Sequence, residues 1–263
     1  KSFVFEVAGK QYICRIPGPG TGLLINRRQE KNVYETIAPL DISERILYFD
    51  GDTGFKISDY YENTWHPDQH SWDDMGKCMD IVRQLHHSGL TVEHSFDIRE
   101  RISFYESLCR GNNCLYFEDY GEVKAQMDQL IDRLEALNPE KMLTHIDSNV
   151  DNFLFLPSGD IRLIDWEYSG MCDPLLDISM SAIYCYYDEE ELDTLSRLYL
   201  GQEPSEEERF RIYSYAALGG FLWALWAIYK ESFGEEFGEY TIDMYRYAKK
   251  YFRKISKELG NML

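Results

Sequence analysis

Three polar residues at fixed intervals constrain this chain more than any other feature. They are Asp147, Asn152 and Asp165, and two apolar runs, at 153–156 and 161–164, separate the last two of them. The segment between the runs is rich in turn-forming residues, so the pattern predicts a β-hairpin. Asn152 stands at the start of this hairpin and Asp165 at its end. The predicted hairpin therefore brings an amide and a carboxylate that are distant in sequence into one cleft.

The order and intervals of these residues resemble the catalytic loop and metal-binding loop of kinases. Phosphoryl transfer mainly requires that an acceptor hydroxyl is oriented and that Mg²⁺ is held against the phosphates. We expect Asp147 to orient the hydroxyl and accept its proton. We expect Asn152 and Asp165 to supply oxygen ligands to Mg²⁺, a hard cation. An isolated Asp beside a strand is usually a turn or cap residue, which is our interpretation of Asp151 and Asp160.

Size and composition are those of a globular protein. A chain of 263 residues, 44% hydrophobic and 28% charged, can form one large domain or two lobes. The sequence has no uninterrupted apolar run of about 18 residues, and its first residues read as a strand, not a signal peptide. We therefore expect a cytoplasmic protein without membrane insertion. The six cysteines include no Cys-x-x-Cys pair, which favours reduced thiols.

The formal net charge of −19 limits the possible partners. An acidic chain repels the phosphates of nucleic acids, so we expect no nucleic-acid partner. The same charge would favour a cationic substrate. Acidic surface that keeps the chain soluble explains the charge equally well.

The pattern changes along the chain and predicts two lobes. Residues 1–59 read as a small β-rich lobe that binds nucleotide, and residues 60–263 as a larger, mostly helical catalytic and substrate-binding lobe. This predicts an α+β protein with a two-lobed, protein-kinase-like fold. Outside the hairpin, the predicted strands are 3–7, 11–16, 45–49 and 54–58, and the predicted helices are 23–37, 72–87, 98–108, 118–137, 175–187, 189–200, 206–231 and 240–259.

A basic residue and a glutamate are candidates for the nucleotide site. In a protein-kinase-like lobe, a basic residue on a strand holds the phosphates and pairs with a Glu on the following helix. Arg15 and Glu30 fit these positions, and Glu35 is an alternative to Glu30. Arg15 stands where lysine is usual, but a guanidinium can still bind phosphate oxygens bidentately.

The remaining nucleotide contacts are predicted from position alone. Ile57, Asp59 and Tyr60 lie at the exit of the last strand of the small lobe, where the backbone is expected to contact adenine. A glycine-rich loop should precede the first strand, and this sequence begins at or just beyond it. Whether a phosphate loop or a fused domain lies upstream stays open.

Two tryptophans in the C-terminal half suggest the acceptor. Trp223 and Trp226 are three residues apart, so they share one face of the predicted helix 206–231. Aromatic cages bind quaternary ammonium groups through cation–π interactions. Without other evidence, however, an aromatic stripe on a helix is more often part of a core.

The chain resembles the choline/ethanolamine kinase group of the aminoglycoside-phosphotransferase-like fold, and most of all the bacterial choline kinases. The resemblance spans residues 3–252 and is most specific at 145–152, 164–168, 173–177 and 221–226. It implies transfer of the γ-phosphoryl group of ATP to choline, with ATP and Mg²⁺ as cofactors. It further implies a choline pocket formed by Glu167, Tyr168, Tyr187, Trp223, Trp226 and Tyr240.

Other functions remain open at this point. An ethanolamine kinase or an aminoglycoside kinase has the same fold, although the paired tryptophans favour choline over both. A choline- or nucleotide-binding pseudokinase without turnover is an alternative from another class. A protein kinase is disfavoured because the residues after Asp165 reach no Ala-Pro-Glu anchor. Neither the oligomeric state nor any protein partner follows from the sequence.

Overall fold

The computed structural model describes residues 1–18 and 21–263, which divide into two compact units. Unit 1 comprises Lys1–Ser95 and Lys141–Asp177, and unit 2 comprises Phe96–Glu140 and Ile178–Leu263. The strands of the described chain are β1 Ser2–Val7, β2 Lys10–Arg15, β3 Ile46–Phe49, β4 Lys56–Asp59, β5 Met142–Thr144, β6 Phe153–Phe155, β7 Ile161–Leu163 and β8 Gly170–Cys172. The helices are α1 Arg27–Ile37, α2 Trp72–His86, α3 Ile98–Gly111, α4 Tyr120–Leu137, α5 Leu175–Tyr184, α6 Glu189–Leu200, α7 Glu206–Glu231 and α8 Tyr240–Glu258.

Unit 1 contains an antiparallel sheet of four strands in the order β1-β2-β4-β3. Ala8 and Gly9 connect β1 to β2, with φ angles of 52° and 79°. Two positive φ angles are what a tight hairpin between twisted strands requires. The sheet places Arg15 at the end of β2, beside Lys56 at the start of β4.

The helix α1 is shorter than the sequence predicts. It begins at Arg27, not at residue 23, because the Asn26 side chain accepts a hydrogen bond from the backbone N–H of Gln29 and caps it. The segment Thr21–Leu23 forms a separate 3₁₀ turn. This start places Arg27 and Glu30 in the first turn, one above the other on the same face.

The predicted hairpin is present as β6 and β7, which pair antiparallel. A second antiparallel pair, β5 with β8, was not predicted. Each of its strands has three residues, too few for an alternating pattern to be recognised. Because β5 runs directly into residues 145–152, this pair fixes one end of the segment that carries Asp147.

Unit 2 is built around α7, which is buried along most of its length and lies against α3, α4 and α8. It starts with a capping box formed by Ser205 and Glu208. A β-carbon on Gly220 would lie 2.5 Å from the carbonyl oxygen of Met244 and 2.7 Å from the β-carbon of Tyr247. The absence of a side chain at Gly220 therefore allows α7 and α8 to approach closely.

By length and composition, α7 could also cross a membrane, which differs from the expectation of no such helix. However, 94% of its most apolar window is buried inside the protein. Burial of this extent is typical of the central helix of a globular core.

The two units group residues by packing, and they do not follow the predicted lobes. The boundary between residues 59 and 60 therefore stays a prediction. Unit 1 contains all three polar residues of the sequence motif, together with Arg15 and Glu30.

Candidate active site

Asp147 and Asn152 are joined by their side chains. The Nδ2 amide of Asn152 donates to the backbone carbonyl of Asp147 at 2.7 Å and to its Oδ2 at 3.1 Å. With its amide hydrogens used in this way, Asn152 keeps its Oδ1 oxygen without a hydrogen-bond donor among the described residues. The pair thus offers a fixed carboxylate and an amide oxygen in one place.

Asp165 lies next to this pair because of the hairpin. The backbone N–H of Ile164 donates to the carbonyl of Asn152 at 2.9 Å, which ties the end of β7 to the start of β6. Asp165 itself has a φ of 67°. A left-handed conformation of a residue with a side chain is uncommon and clusters at functional sites. The hydrogen bond from Ile164 therefore places the backbone next to Asp165 beside that of Asn152. The roles of the three residues of the motif stay predictions.

Arg15 pairs with two acidic residues at the end of the hairpin. Its Nη1 lies 2.6 Å from Oδ1 of Asp165, and its Nη2 lies 2.9 Å from Oε2 of Glu167. Burial alone would lower the pKa of Arg15, but the two carboxylates outweigh it and raise the pKa. Burial alone would raise the pKa of Asp165, but the Arg15 guanidinium holds it below its ordinary value. Both groups are therefore charged over the whole physiological range.

Glu30 has partners other than the predicted Arg15. Among the described residues no ion pair joins Arg15 and Glu30. Instead, Nη1 of Arg27 lies 2.6 Å from Oε2 of Glu30, and Nζ of Lys56 lies 3.7 Å from Oε1. Arg27 is closer because it stands three residues earlier on the same helix, while Asp165 attracts Arg15 away. The alternative Glu35 is exposed on the surface, 3.9 Å from Lys31.

Arg27 was not selected from the sequence, although it bridges two predicted site residues. Its Nη1 contacts Glu30 and also lies 2.9 Å from Oε2 of Glu167. Gly54 makes room for it: a β-carbon there would lie 2.7 Å from Cδ of Arg27, and its φ is 76°. The spacing of Arg27 and Glu30 is a recognisable i,i+3 pair, which was the available signal. No local pattern in the sequence indicates the contact of Arg27 with Gly54.

Lys56 is a second residue that the sequence analysis missed. It is 5% exposed, and its Nζ lies 3.0 Å from Oε1 of Glu44 and 2.7 Å from the hydroxyl of Tyr34. The ammonium also lies 4.3 Å from the centre of the Tyr34 ring. Lys56, at the start of β4, thus compensates the buried charges of Glu30 and Glu44.

Glu167 is an acid with a raised pKa. Its burial and the nearby charge of Asp165 raise its pKa to about 7, although Arg15 and Arg27 act in the opposite direction. Both arginines contact the same oxygen, Oε2. In this arrangement Glu167 is a partner of guanidinium groups, and its predicted contact with the ammonium of a substrate stays a prediction.

Oxygen atoms suitable for a metal ion gather at the same place. Ligand atoms of Glu30, Asp165 and Glu167 all lie within 4.8 Å of one another. The predicted ligand Asn152 is not part of this cluster of acidic groups, and its contact with a metal ion stays a prediction. A set of carboxylate oxygens fits a hard cation such as Mg²⁺.

The predicted adenine contacts lie at β4. Ile57 pairs with Cys14 and Tyr48 in the sheet, and the N–H of Asp59 donates to the carbonyl of Arg45. Because β4 is an inner strand, the sheet already uses backbone groups of Ile57 and Asp59. Tyr60 follows directly after the strand. The role of all three residues stays a prediction.

In unit 2 the tryptophans belong to a cluster of aromatic rings. Trp223 and Trp226 meet edge to face, with ring centres 6.2 Å apart. The ring centre of Phe237 lies 5.1 Å from that of Trp226 and 6.2 Å from that of Tyr240. Trp223 is buried and directs its Nε1 towards the sulfur of Met180, whereas Trp226 is partly exposed. Phe237 was not predicted, because it lies in the segment between helices where no periodicity identifies it.

The two remaining aromatic candidates are buried. Tyr168 follows Glu167 in unit 1 and is 9% exposed. Tyr187 follows α5 in unit 2, and its backbone carbonyl accepts a hydrogen bond from the hydroxyl of Tyr247. Their predicted place in the wall of a choline pocket is not tested by these contacts.

Comparison with known proteins agrees with the geometry. The model of the "Phosphotransferase enzyme family" matches residues 2–213. Protein LicA of Haemophilus influenzae is 28% identical over 260 residues, which cover 92% of this chain and 94% of that protein. The crystal structure of choline kinase LicA from Streptococcus pneumoniae is 31% identical with a TM-score of 0.84, covering 96% of this chain and 89% of the other. A crystal structure of LicA in complex with AMP is 30% identical with a TM-score of 0.83, covering 96% and 88%. These likenesses confirm the predicted protein-kinase-like fold, and the chain belongs to the phosphotransferase enzyme family.

Proposed function

We propose that this protein transfers the γ-phosphoryl group of ATP to the hydroxyl of choline and releases phosphocholine and ADP. The main support is the joined pair of Asp147 and Asn152 beside Asp165, an arrangement that suits phosphoryl transfer. The acceptor is proposed from the likeness to a protein described as a choline kinase. The likeness to a structure in complex with AMP supports an adenine nucleotide as donor.

Asp147 acts as the base in this proposal. The amide of Asn152 donates to its Oδ2 and fixes the direction of the carboxylate. A carboxylate held in one orientation can accept the proton of a hydroxyl placed within hydrogen-bond reach. Orientation of this kind contributes much of the rate in a reaction that needs little covalent chemistry from the protein.

Asn152 and Asp165 would hold Mg²⁺ through oxygen atoms, and the bound ion would neutralise charge on the phosphates. Arg15 has the planar geometry that binds phosphate oxygens in pairs. Its present partners, Asp165 and Glu167, keep the guanidinium next to the metal-binding carboxylate. Arg27 and Lys56 hold Glu30 and thereby the first turn of α1.

The aromatic cluster of unit 2 provides faces for the trimethylammonium group. Trp226 is the partly exposed member and Trp223 is the buried member that supports it. Choline keeps its positive charge at every pH, so its pocket requires aromatic faces and not only hydrogen-bond acceptors. Ethanolamine carries N–H donors and depends less on such faces.

Coupled release of ADP with Mg-ATP tests the proposal, with choline, ethanolamine and an aminoglycoside compared at equal concentrations. Choline-dependent release supports it. Release with another acceptor only would keep the phosphotransfer reaction and refute the choice of choline. Absence of release with all three would favour a binding protein without turnover.

The variant Trp226→Ala refines the test of the acceptor. We expect it to raise the KM for choline more than the KM for ethanolamine. Phe233→Ala, which removes another exposed aromatic side chain of unit 2, is the matched control and should change neither value. Equal losses for both acceptors in Trp226→Ala would contradict a cation–π role of this ring.

A further inference from the structure

A cavity of about 680 Å³ opens in unit 1 between α1 and β3. One wall is a single face of α1 and its C-terminal end, where Lys31, Tyr34 and Ala38 follow one another at helical spacing. The other wall is formed by residues 43–49. No residue that the sequence predicts for nucleotide, metal or acceptor is among the described residues of this lining. A cavity of this volume can hold a small organic molecule.

The β3 wall exposes two consecutive apolar side chains, Leu47 and Tyr48. In a regular strand, neighbouring side chains point to opposite faces of the sheet. However, the register of β3 against β4 shifts between Ile46 and Tyr48, as in a β-bulge. Such irregularities redirect side chains and are frequent beside functional sites. Leu47 and Tyr48 therefore both line the cavity and give it an apolar wall.

A carboxylate oxygen without a partner belongs to the same lining. Glu44 is buried, and its Oε1 accepts hydrogen bonds from the hydroxyl of Tyr34 at 2.6 Å and from Nζ of Lys56 at 3.0 Å. Its Oε2 is also buried but has no hydrogen-bond partner in the part of the chain that the structure describes. A buried acceptor left unpaired is costly and rare in native proteins. Because the terminal torsion of a glutamate is broad, Oε2 can turn towards a donor that enters the cavity.

Ion pairs connect Glu44 with Asp165 through a series of buried and partly buried groups. With every group ionised, the series has four carboxylates and three cations, in the order Glu44, Lys56, Glu30, Arg27, Glu167, Arg15 and Asp165. It therefore has one negative charge in excess, and Glu44 is its end on the side of the cavity. The other charged residues of the lining balance one another, since two are basic and two are acidic: Lys31, Arg45, Glu35 and Asp41.

We propose that this cavity is a second ligand site, which binds an organic cation that carries N–H donors on a flat apolar body. An aromatic amidinium has this chemistry. Its N–H groups donate to Oε2 of Glu44, and its ring lies against Leu47 and Tyr48. A charge-assisted hydrogen bond of this kind is stronger than a neutral one. Choline has no N–H group and would leave Oε2 unpaired, so the ligand of this site differs from the proposed acceptor.

Benzamidine is the probe for this site, because it joins a planar amidinium to a phenyl ring. Phenyltrimethylammonium is the matched probe, with the same charge and ring but without an N–H donor. In ¹H–¹⁵N spectra we expect benzamidine to shift the amide resonances of residues 44–49 with a Kd below about 10 mM. Phenyltrimethylammonium should leave these resonances unchanged, and saturating Mg-ATP and choline should not displace benzamidine from the site.

Two variants test the two walls of the site. Tyr48→Ala removes an apolar side chain that is 53% exposed, and we expect it to raise the Kd for benzamidine at least about fivefold. Glu44→Gln removes the charge of the acceptor and should raise the Kd about tenfold. Tyr116→Ala is the control, because Tyr116 is 52% exposed in unit 2, and its Kd should equal that of the wild type. Circular dichroism shows whether each variant is folded, and Tyr48→Ala decides the test if Glu44→Gln is not.

Three results would overturn the proposal. The first is the absence of shifts at residues 44–49, or equal shifts with both probes, since the N–H donors would then have no role. The second is an unchanged Kd in Tyr48→Ala. The third is displacement of benzamidine by Mg-ATP or choline, which would place the probe in the site described above. Because binding is measured without turnover, a wild type that phosphorylates no acceptor would refute the proposed function and leave this site in place.

Discussion

The two units bury different kinds of polar side chain. All buried charged side chains among the described residues belong to unit 1, whereas the buried polar side chains of unit 2 carry only hydroxyl groups. In unit 1 these charges are Arg27, Glu30, Glu44, Lys56, Arg162, Asp173 and Asp177. In unit 2 the hydroxyl residues are Ser179, Ser181, Ser196, Ser214 and Thr241. Because a buried charge is costly unless it is paired, the fold of unit 1 depends on the partners of these charges.

The units also differ in the interactions that fix their geometry. Lys56 and Arg27 hold Glu30 by charge, so the geometry of unit 1 depends on partners that must all be present. The geometry of unit 2 depends on close packing of α7 and α8 at Gly220. Removing one charge should therefore disturb unit 1, and adding one methyl group should disturb unit 2.

The largest expected effect is on turnover through Asp147. Asp147→Asn should reduce ADP release about 10²- to 10⁴-fold, the usual contribution of a general base, while the thermal midpoint of unfolding changes little. Asp151→Asn is the control, because Asp151 is exposed in the same segment and should leave turnover unchanged. Wild-type turnover in Asp147→Asn would remove the functional contrast between the units.

The second effect is on stability, through the buried ammonium of Lys56. Lys56→Met leaves Glu44 and Glu30 without this charge, and we expect a loss of about 3–5 kcal/mol in the free energy of unfolding by urea. Lys31→Met removes a charge on α1 that lies 3.9 Å from Glu35 at the surface, and it should cost less than about 1 kcal/mol. Similar small losses in both variants would show that the buried charges of unit 1 contribute no more than surface charges.

A third change tests the packing of unit 2. Gly220→Ala should lower the free energy of unfolding by about 1–3 kcal/mol, because the added methyl group meets Met244 and Tyr247. Gly121→Ala on α4 meets no atom within 4 Å, and it should be neutral or stabilising by up to about 1 kcal/mol. The two variants can be compared by urea denaturation. A neutral Gly220→Ala would mean that α7 and α8 can separate without cost.

The smallest expected effect is the pH dependence that Asp177 adds to the stability of the fold. Its pKa in the folded protein lies below the ordinary 3.8, so its ionised form stabilises the fold above that pH. This contribution is lost as the pH falls through the lower folded pKa. The difference in urea midpoint between wild type and Asp177→Asn should therefore be constant near neutral pH and shrink below about pH 4. A difference that grows on acidification would contradict the sign of the shift.

Sequence patterns predicted the features that depend on nearby residues. The helices α6 and α7 have the predicted bounds, and each starts with a capping residue. A regular apolar period follows the cap in α6, whereas α7 is buried along most of its length. The hairpin of β6 and β7 followed from two apolar runs and a turn, and it placed Asn152 and Asp165 together. Helix α1 was predicted too long because the cap at Asn26 was not recognised.

The sequence by itself thus determined most helices, the hairpin and the motif of Asp147, Asn152 and Asp165, since these depend on short intervals. Only the tertiary structure decided which charges pair. The sequence could not show that Arg15 pairs with Asp165 and not with Glu30. Arg15 and Asp165 are 150 positions apart and meet only in the fold. The contact of His86 with Asp177, 91 positions away, has the same origin. Pairing energies are set by distance and burial in space, and neither quantity is encoded in local spacing.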